Sequence, residues 1–132
     1  MADLKSKNVE GPAGDFSTEN VKPLLNEIKH ALQRLSKDGT SSTIDLLRLP
    51  LTKQDLAELE NFLGQGEVKI KLKSLGASDI IESRFSGVWL VKHFDASDKL
   101  QARLIEITPI PSLAAAPPED IAVGLVELNK LL

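Results

Sequence analysis

The 132-residue sequence contains no cysteine. That excludes a disulfide framework, a thiolate nucleophile and any thiolate-bound metal, and it fits the expectation of a cytoplasmic protein. Histidine is nearly as scarce, with His30 and His93 the only two, so little remains from which to build a transition-metal site. No run of about 18 apolar residues occurs, and no membrane insertion is predicted. Charge is close to balanced, 16 basic against 19 acidic residues for a net −3, which makes no case for a nucleic-acid partner. Residues 1–17 lack an apolar signal core and carry Gly11, Pro12 and Gly14. They read as a flexible N-terminal segment and not a secretory signal. There is no EF-hand spacing, no internal repeat and no low-complexity tract. Gly64-Gln65-Gly66 follows a helix and precedes a strand, the reverse of the order that aims amides at a phosphate.

The composition that remains, 42% hydrophobic and 27% charged, is that of one globular domain, assigned to residues 18–132. Val21, Leu24, Leu25, Ile28, Ala31, Leu32 and Leu35 recur on one helical face, with Ser17, Thr18 or Asn20 able to cap it and Gly39 to stop it. A short strand is predicted at 42–46. A second helix opens at Thr52, with Asp55 three residues on as the acid of a capping box, and ends at Gly64 and Gly66. The segment 67–74 alternates: Val68, Ile70 and Leu72 are expected to face the core, and Lys69, Lys71 and Lys73 water. That lysine row reads as a solvated face that discourages edge pairing, in preference to a docking patch for an acidic partner.

The stretch 79–108 reads as three further strands. Phe85-Ser86-Gly87-Val88 marks a tight turn and Asp95-Ala96-Ser97-Asp98 a longer one. Between them lies the sole tryptophan, Trp89. Apolar side chains fall on both faces of the strands after Val88, which predicts a sheet covered on both sides at its centre. Pro109, Pro111, Pro117 and Pro118 then stop further pairing. The final segment predicts a helix whose Ile121, Leu125, Leu128 and Leu132 form one stripe, with more apolar surface beside it. Such a helix is buried in the fold or packs against something outside the domain. The predicted fold is therefore α+β: a single domain with a mostly antiparallel sheet of about five strands flanked by three helices.

No catalytic constellation emerges. His30 sits among charges on the polar face of the first helix, His93 has no serine or carboxylate at motif spacing, and alternation sends Asp79 and Glu82 to opposite faces. No cofactor and no metal are expected. The segments LNEIKHALQRL (25–35), GTSSTIDLLRLP (39–50), LGQGEVKIKL (63–72), ESRFSGVWLV (82–91) and LIEI (104–107) together resemble the C-terminal region of the hydrogenase expression/formation proteins called HupH or HyaF. The matching residues include Thr43, Ile44, Asp45, Leu49 and Pro50, and Arg84, Phe85, Gly87, Val88 and Trp89. Longer family members carry additional sequence ahead of this region, whereas this chain reads as essentially one unit.

The resemblance implies a non-catalytic maturation chaperone for an uptake [NiFe] hydrogenase, with the small-subunit precursor as partner. A second maturation chaperone and a homodimer are further partners under this reading. Protein-binding candidates are Arg84 and Trp89, residue types over-represented at energetic hot spots, and Leu125 and Leu128 on the apolar last helix. The alternative is a small ligand-binding domain or enzyme with a pocket near Trp89 and His93.

Overall fold

The computed structural model describes residues 18–73 and 76–132. The segment 1–17 lies outside the described residues. Helix α1 (Val21–Asp38) ends at Gly39, whose left-handed backbone (φ 79°) returns its N–H to the Leu35 carbonyl. Strand β1 (Ser42–Asp45) and a 3-10 turn (Leu46–Arg48) lead into helix α2 (Lys53–Leu63). Its capping box is complete: Thr52 Oγ1 accepts from the Asp55 N–H, and the Asp55 carboxylate accepts from the Thr52 N–H. Strands β2 (Lys69–Lys73), β3 (Ala77–Glu82), β4 (Val88–Phe94) and β5 (Leu100–Ile107) follow, then a second 3-10 turn (Ser112–Ala114) and helix α3 (Pro118–Leu131).

All five strands form one antiparallel sheet in the order β1-β5-β4-β3-β2. The sheet expectation is met, and apolar side chains are buried on both of its faces, although no described helix covers the second. On one face, α1 and α2 lay Leu24, Ile28, Leu59 and Leu63 over Ile44, Val88, Leu90, Ile105 and Ile107. On the other, Ile80, Trp89 and Val91 are buried together, with Ile70, Leu72 and Leu104 packed against them. This second cluster consists of strand residues alone among the described residues. β2 is an edge strand whose three lysines are exposed, as expected. Val68, expected in the core, lies just ahead of β2 and is exposed, because the ladder on that side begins at Lys69.

Both turns are where the sequence puts them. The Val88 N–H closes on the Phe85 carbonyl at 3.0 Å. Gly87 has φ 90°, a left-handed value, and a Cβ there would stand 3.3 Å from the Leu32 and Leu35 side chains, so the turn packs directly beneath α1. In the longer turn Asp95 Oδ1 accepts from the Ser97 and Lys99 N–H groups. Asn20 occupies the cap position of α1 without a side-chain cap bond. Its amide instead donates to the Pro50 carbonyl, and Thr18 Oγ1 accepts from the Asn20 N–H.

The last helix is the departure. It forms over the expected residues, yet none of its residues is buried. Pro109, Pro111, Pro117 and Pro118 explain the separation: fixed φ angles and missing donors hold the connection stiff and prevent it from folding back through a simple turn. Pro111 itself is buried, which anchors the near end of that connection to the body.

Candidate functional site

The helical side of the sheet carries an open cleft of about 1060 Å³ between α1, the end of α2 and the β3–β4 turn. Val21, Leu25, Ile28, Leu32, Phe62 and Phe85 give it an apolar wall, and Lys22 and Lys29 on α1, with Glu19 and Glu58, are the charged residues of its lining. The cleft exists because α1 uses a broad apolar arc. Leu24, Ile28 and Ala31 are buried against the sheet, while Leu25 and Leu32, one position further round, are only partly covered.

Arg84 sits at one end of this cleft. Its guanidinium lies 5.2 Å from the Phe62 ring centre and 4.8 Å from that of Phe85, and the two rings are stacked at 5.9 Å. Nε donates to the Phe62 carbonyl at 3.0 Å, and the Arg84 N–H donates to the Leu63 carbonyl at 2.8 Å. A cation thus meets the carbonyl end of α2, where the helix dipole favours positive charge. Arg84 is nevertheless exposed, with donors left to offer a partner.

Trp89 lies elsewhere. It is 3% exposed on the opposite face, and its Nε1 donates to the Thr108 carbonyl at 3.0 Å. His93 shares that face and pairs its Nδ1 with Ser78 Oγ at 2.7 Å. The large cleft is on the other side of the sheet, so the two residues do not line it. Leu125 and Leu128 are 60% and 54% exposed on α3. Of the four protein-binding candidates, Arg84, Leu125 and Leu128 are accessible, and Trp89 is built into the sheet. The cleft itself escaped sequence reading because its lining comes from three separated segments. The one available signal was the pair Leu25 and Leu32 at the edge of the α1 stripe.

The remaining titratable groups give little chemistry. Among the described residues no cluster of three or more histidine or acidic side chains could hold a metal ion. Glu60 ties α2 to the sheet, with Arg103 Nη1 at 2.9 Å and Lys92 Nζ at 3.4 Å. His30 is exposed. Asp79 and Glu82 pair with Lys92 and Trp89 respectively and so point to opposite faces, as alternation requires. No helix among the described residues is long and apolar enough to cross a membrane.

Glu106, the cross-strand neighbour of Trp89, is different. Burial pushes its carboxyl above the usual range, an effect that His93 offsets in part. A carboxyl whose folded pKa is raised contributes stability at low pH that is lost as pH rises through the folded value. Glu106→Gln is therefore expected to raise the thermal midpoint at pH 7 and to leave it unchanged below about pH 3, where the carboxyl is protonated in both states. Parallel melts at the two pH values measure this.

Comparison with known proteins places these features in a family. Residues 18–132 match the model of the HupH hydrogenase expression protein, C-terminal conserved region. The hydrogenase expression/formation protein HoxQ of Azotobacter vinelandii is 33% identical over 114 residues, covering 85% of this chain and 40% of the relative. The hydrogenase expression/formation protein HupH of Rhizobium leguminosarum is 30% identical over 109 residues, and the Hydrogenase-1 operon protein HyaF of Escherichia coli 29% over 115. The chain thus spans about two fifths of the length of these curated relatives. A solved structure of the hydrogenase expression protein HupH from Thiobacillus denitrificans superposes with a TM-score of 0.80 at 40% identity, covering 85% of this chain and 93% of that one. The resemblance carried by the Arg84–Trp89 turn and its companion segments is confirmed: the chain belongs to the HupH family of hydrogenase expression proteins, through that family's C-terminal conserved region.

Proposed function

We propose that the protein is a non-catalytic assembly chaperone of the cytoplasm that binds the small-subunit precursor of an uptake [NiFe] hydrogenase during maturation. The observation that carries this reading is the family match over residues 18–132, whose relatives are named for hydrogenase expression and formation. The surface supports it chemically. A chaperone needs exposed apolar area with a few directional polar groups, and the chain offers both: Arg84 on its aromatic platform, and α3 with Leu125 and Leu128. A second maturation chaperone is a further partner for the same surfaces. Turnover is no part of this reading.

The test is co-expression with a small-subunit precursor, followed by affinity capture and size-exclusion chromatography. Co-elution is expected. Arg84→Ala, and separately Leu125→Ala with Leu128→Ala, are expected to weaken it roughly tenfold or more while leaving the circular dichroism of the body intact. No complex, with the export signal present or removed from the precursor, rejects the reading.

A further inference from the structure

We propose that α3 of one chain seats in the α1–α2 cleft of a second copy, and that the exchange is reciprocal. The helix that no described residue covers comes first. A 14-residue helix with no buried residue is marginal in water on its own, and between Ile121 and Leu132 seven large apolar side chains are more than half exposed. Monomeric proteins rarely leave such a surface uncovered. The same chain holds an apolar cleft of helix-accepting form, walled by α1 and the Phe62–Phe85 pair.

Charge sets the register. Lys22 and Lys29 in the cleft lining are seven residues apart on α1, and Asp120 and Glu127 are seven apart on α3. Seven residues are about 10.5 Å along either helix. Antiparallel alignment of α3 on α1 places Asp120 beside Lys29 and Glu127 beside Lys22. The same alignment puts Gly124 opposite Leu25. No atom crowds a Cβ built at Gly124 on the free helix, and the missing side chain lets the leucine approach closely.

The connection argues for a second copy over the chain's own cleft. It is fixed to the body at buried Pro111 and stiffened by Pro109, Pro117 and Pro118, and it leaves α3 with no buried residue. A rigid hinge that denies the local contact is what favours exchange between copies. Area suffices as well. Ile121, Leu125, Leu128 and Leu132, at on the order of 80 Å² apiece, together with the cleft wall they cover remove roughly 1,100 Å² in two reciprocal contacts, close to the ~1,000 Å² expected of a specific interface. The contact requires no hydrogenase component. In the free protein it covers the same helix face that the proposed function offers to a client.

Light scattering on the eluting 132-residue chain tests this directly. The expected mass is twice the 14.4 kDa of one chain, and Leu125→Asp with Leu128→Asp, both exposed positions, should yield a folded monomer. A charge exchange then identifies the pairing. Lys22→Glu with Lys29→Glu in one chain, and Asp120→Lys with Glu127→Lys in another, should each weaken self-association at least tenfold. Mixing the two should restore a heterodimer in which both contacts are again complementary. A monomer at every concentration overturns the proposal. So does a dimer that survives the two aspartates, or a charge-exchanged mixture that stays monomeric. Because no precursor is present, each of these failures leaves the proposed client binding standing.

Discussion

Replacing Trp89 with alanine is expected to destabilise the fold by about 4 kcal/mol, the range for emptying a buried indole site. The ring is 3% exposed and packs with Ile80 and Val91 in the cluster that covers the far face of the sheet. Its Nε1 also satisfies the Thr108 carbonyl immediately after β5 ends, so truncation leaves a cavity and a partly buried acceptor without its donor. Urea unfolding followed by circular dichroism measures the loss, since the substitution removes the only tryptophan fluorophore. A change below about 1 kcal/mol would show that the ring contributes little packing. The experiment also protects the binding test. A precursor complex lost in Trp89→Ala reports on the stability of the β4–β5 pair, whereas one lost in Arg84→Ala reports on a surface.

Asp55→Ala is expected to cost about 3 kcal/mol, from several charge-assisted bonds lost at a residue with no exposed surface. Its carboxylate accepts from the Thr52 N–H at 3.0 Å, closing the α2 cap, and from the Thr18 N–H and hydroxyl at 2.9 and 2.6 Å. One side chain therefore fixes the start of α2 and the approach to α1 together. Burial works to raise its pKa, but the bonds from Thr18 and Thr52 outweigh it and hold the carboxyl below the usual range. The sign follows from linkage: a depressed folded pKa gives stability that is fully present above the unfolded value of about 3.9 and is lost as pH falls through the lower folded value. Asp55→Asn should accordingly be less stable than the natural chain at neutral pH, with the gap narrowing under acid. Denaturant midpoints across the acid range check it, and a gap of constant size would contradict it.

Much of this architecture was readable residue by residue, because the signals were local. Gly39 ends α1 through a left-handed residue, Thr52 and Asp55 cap each other, and the Phe85–Val88 and Asp95–Asp98 turns fall between strands with the chemistry those turns need. Alternation likewise separated Val88 and Leu90 from Trp89 and Val91, and so predicted two buried faces. Periodicity reports that a surface is apolar and does not report what covers it. For that reason α3 reads first as core and only second as a contact surface, and the structure leaves none of its residues buried. Trp89 drew attention by residue type as a binding anchor, although its register in β4, opposite Glu82 and Glu106, puts it inside the second cluster. Apart from Leu25 and Leu32 at the edge of the α1 stripe, no local pattern points to the cleft, whose walls meet only once α1, the end of α2 and the β3–β4 turn are brought together.

The pairing of β1 with β5 has a consequence for how the chain is made. Strands β2 to β5 are a run of neighbours, each closing on the one before it through a short connection, and such local contacts form quickly. Among the described residues β1 has no sheet neighbour except β5: Ser42 must wait for Ile107, and Ile44 for Ile105. On the ribosome, α1, β1 and α2 therefore emerge with their apolar faces uncovered and keep them so until nearly the whole sheet has been synthesised. The closing of that long loop is the event that turns a helical hairpin and a free meander into one body. The first half of this proposed chaperone is itself, for the duration of its own translation, an exposed and incompletely folded client.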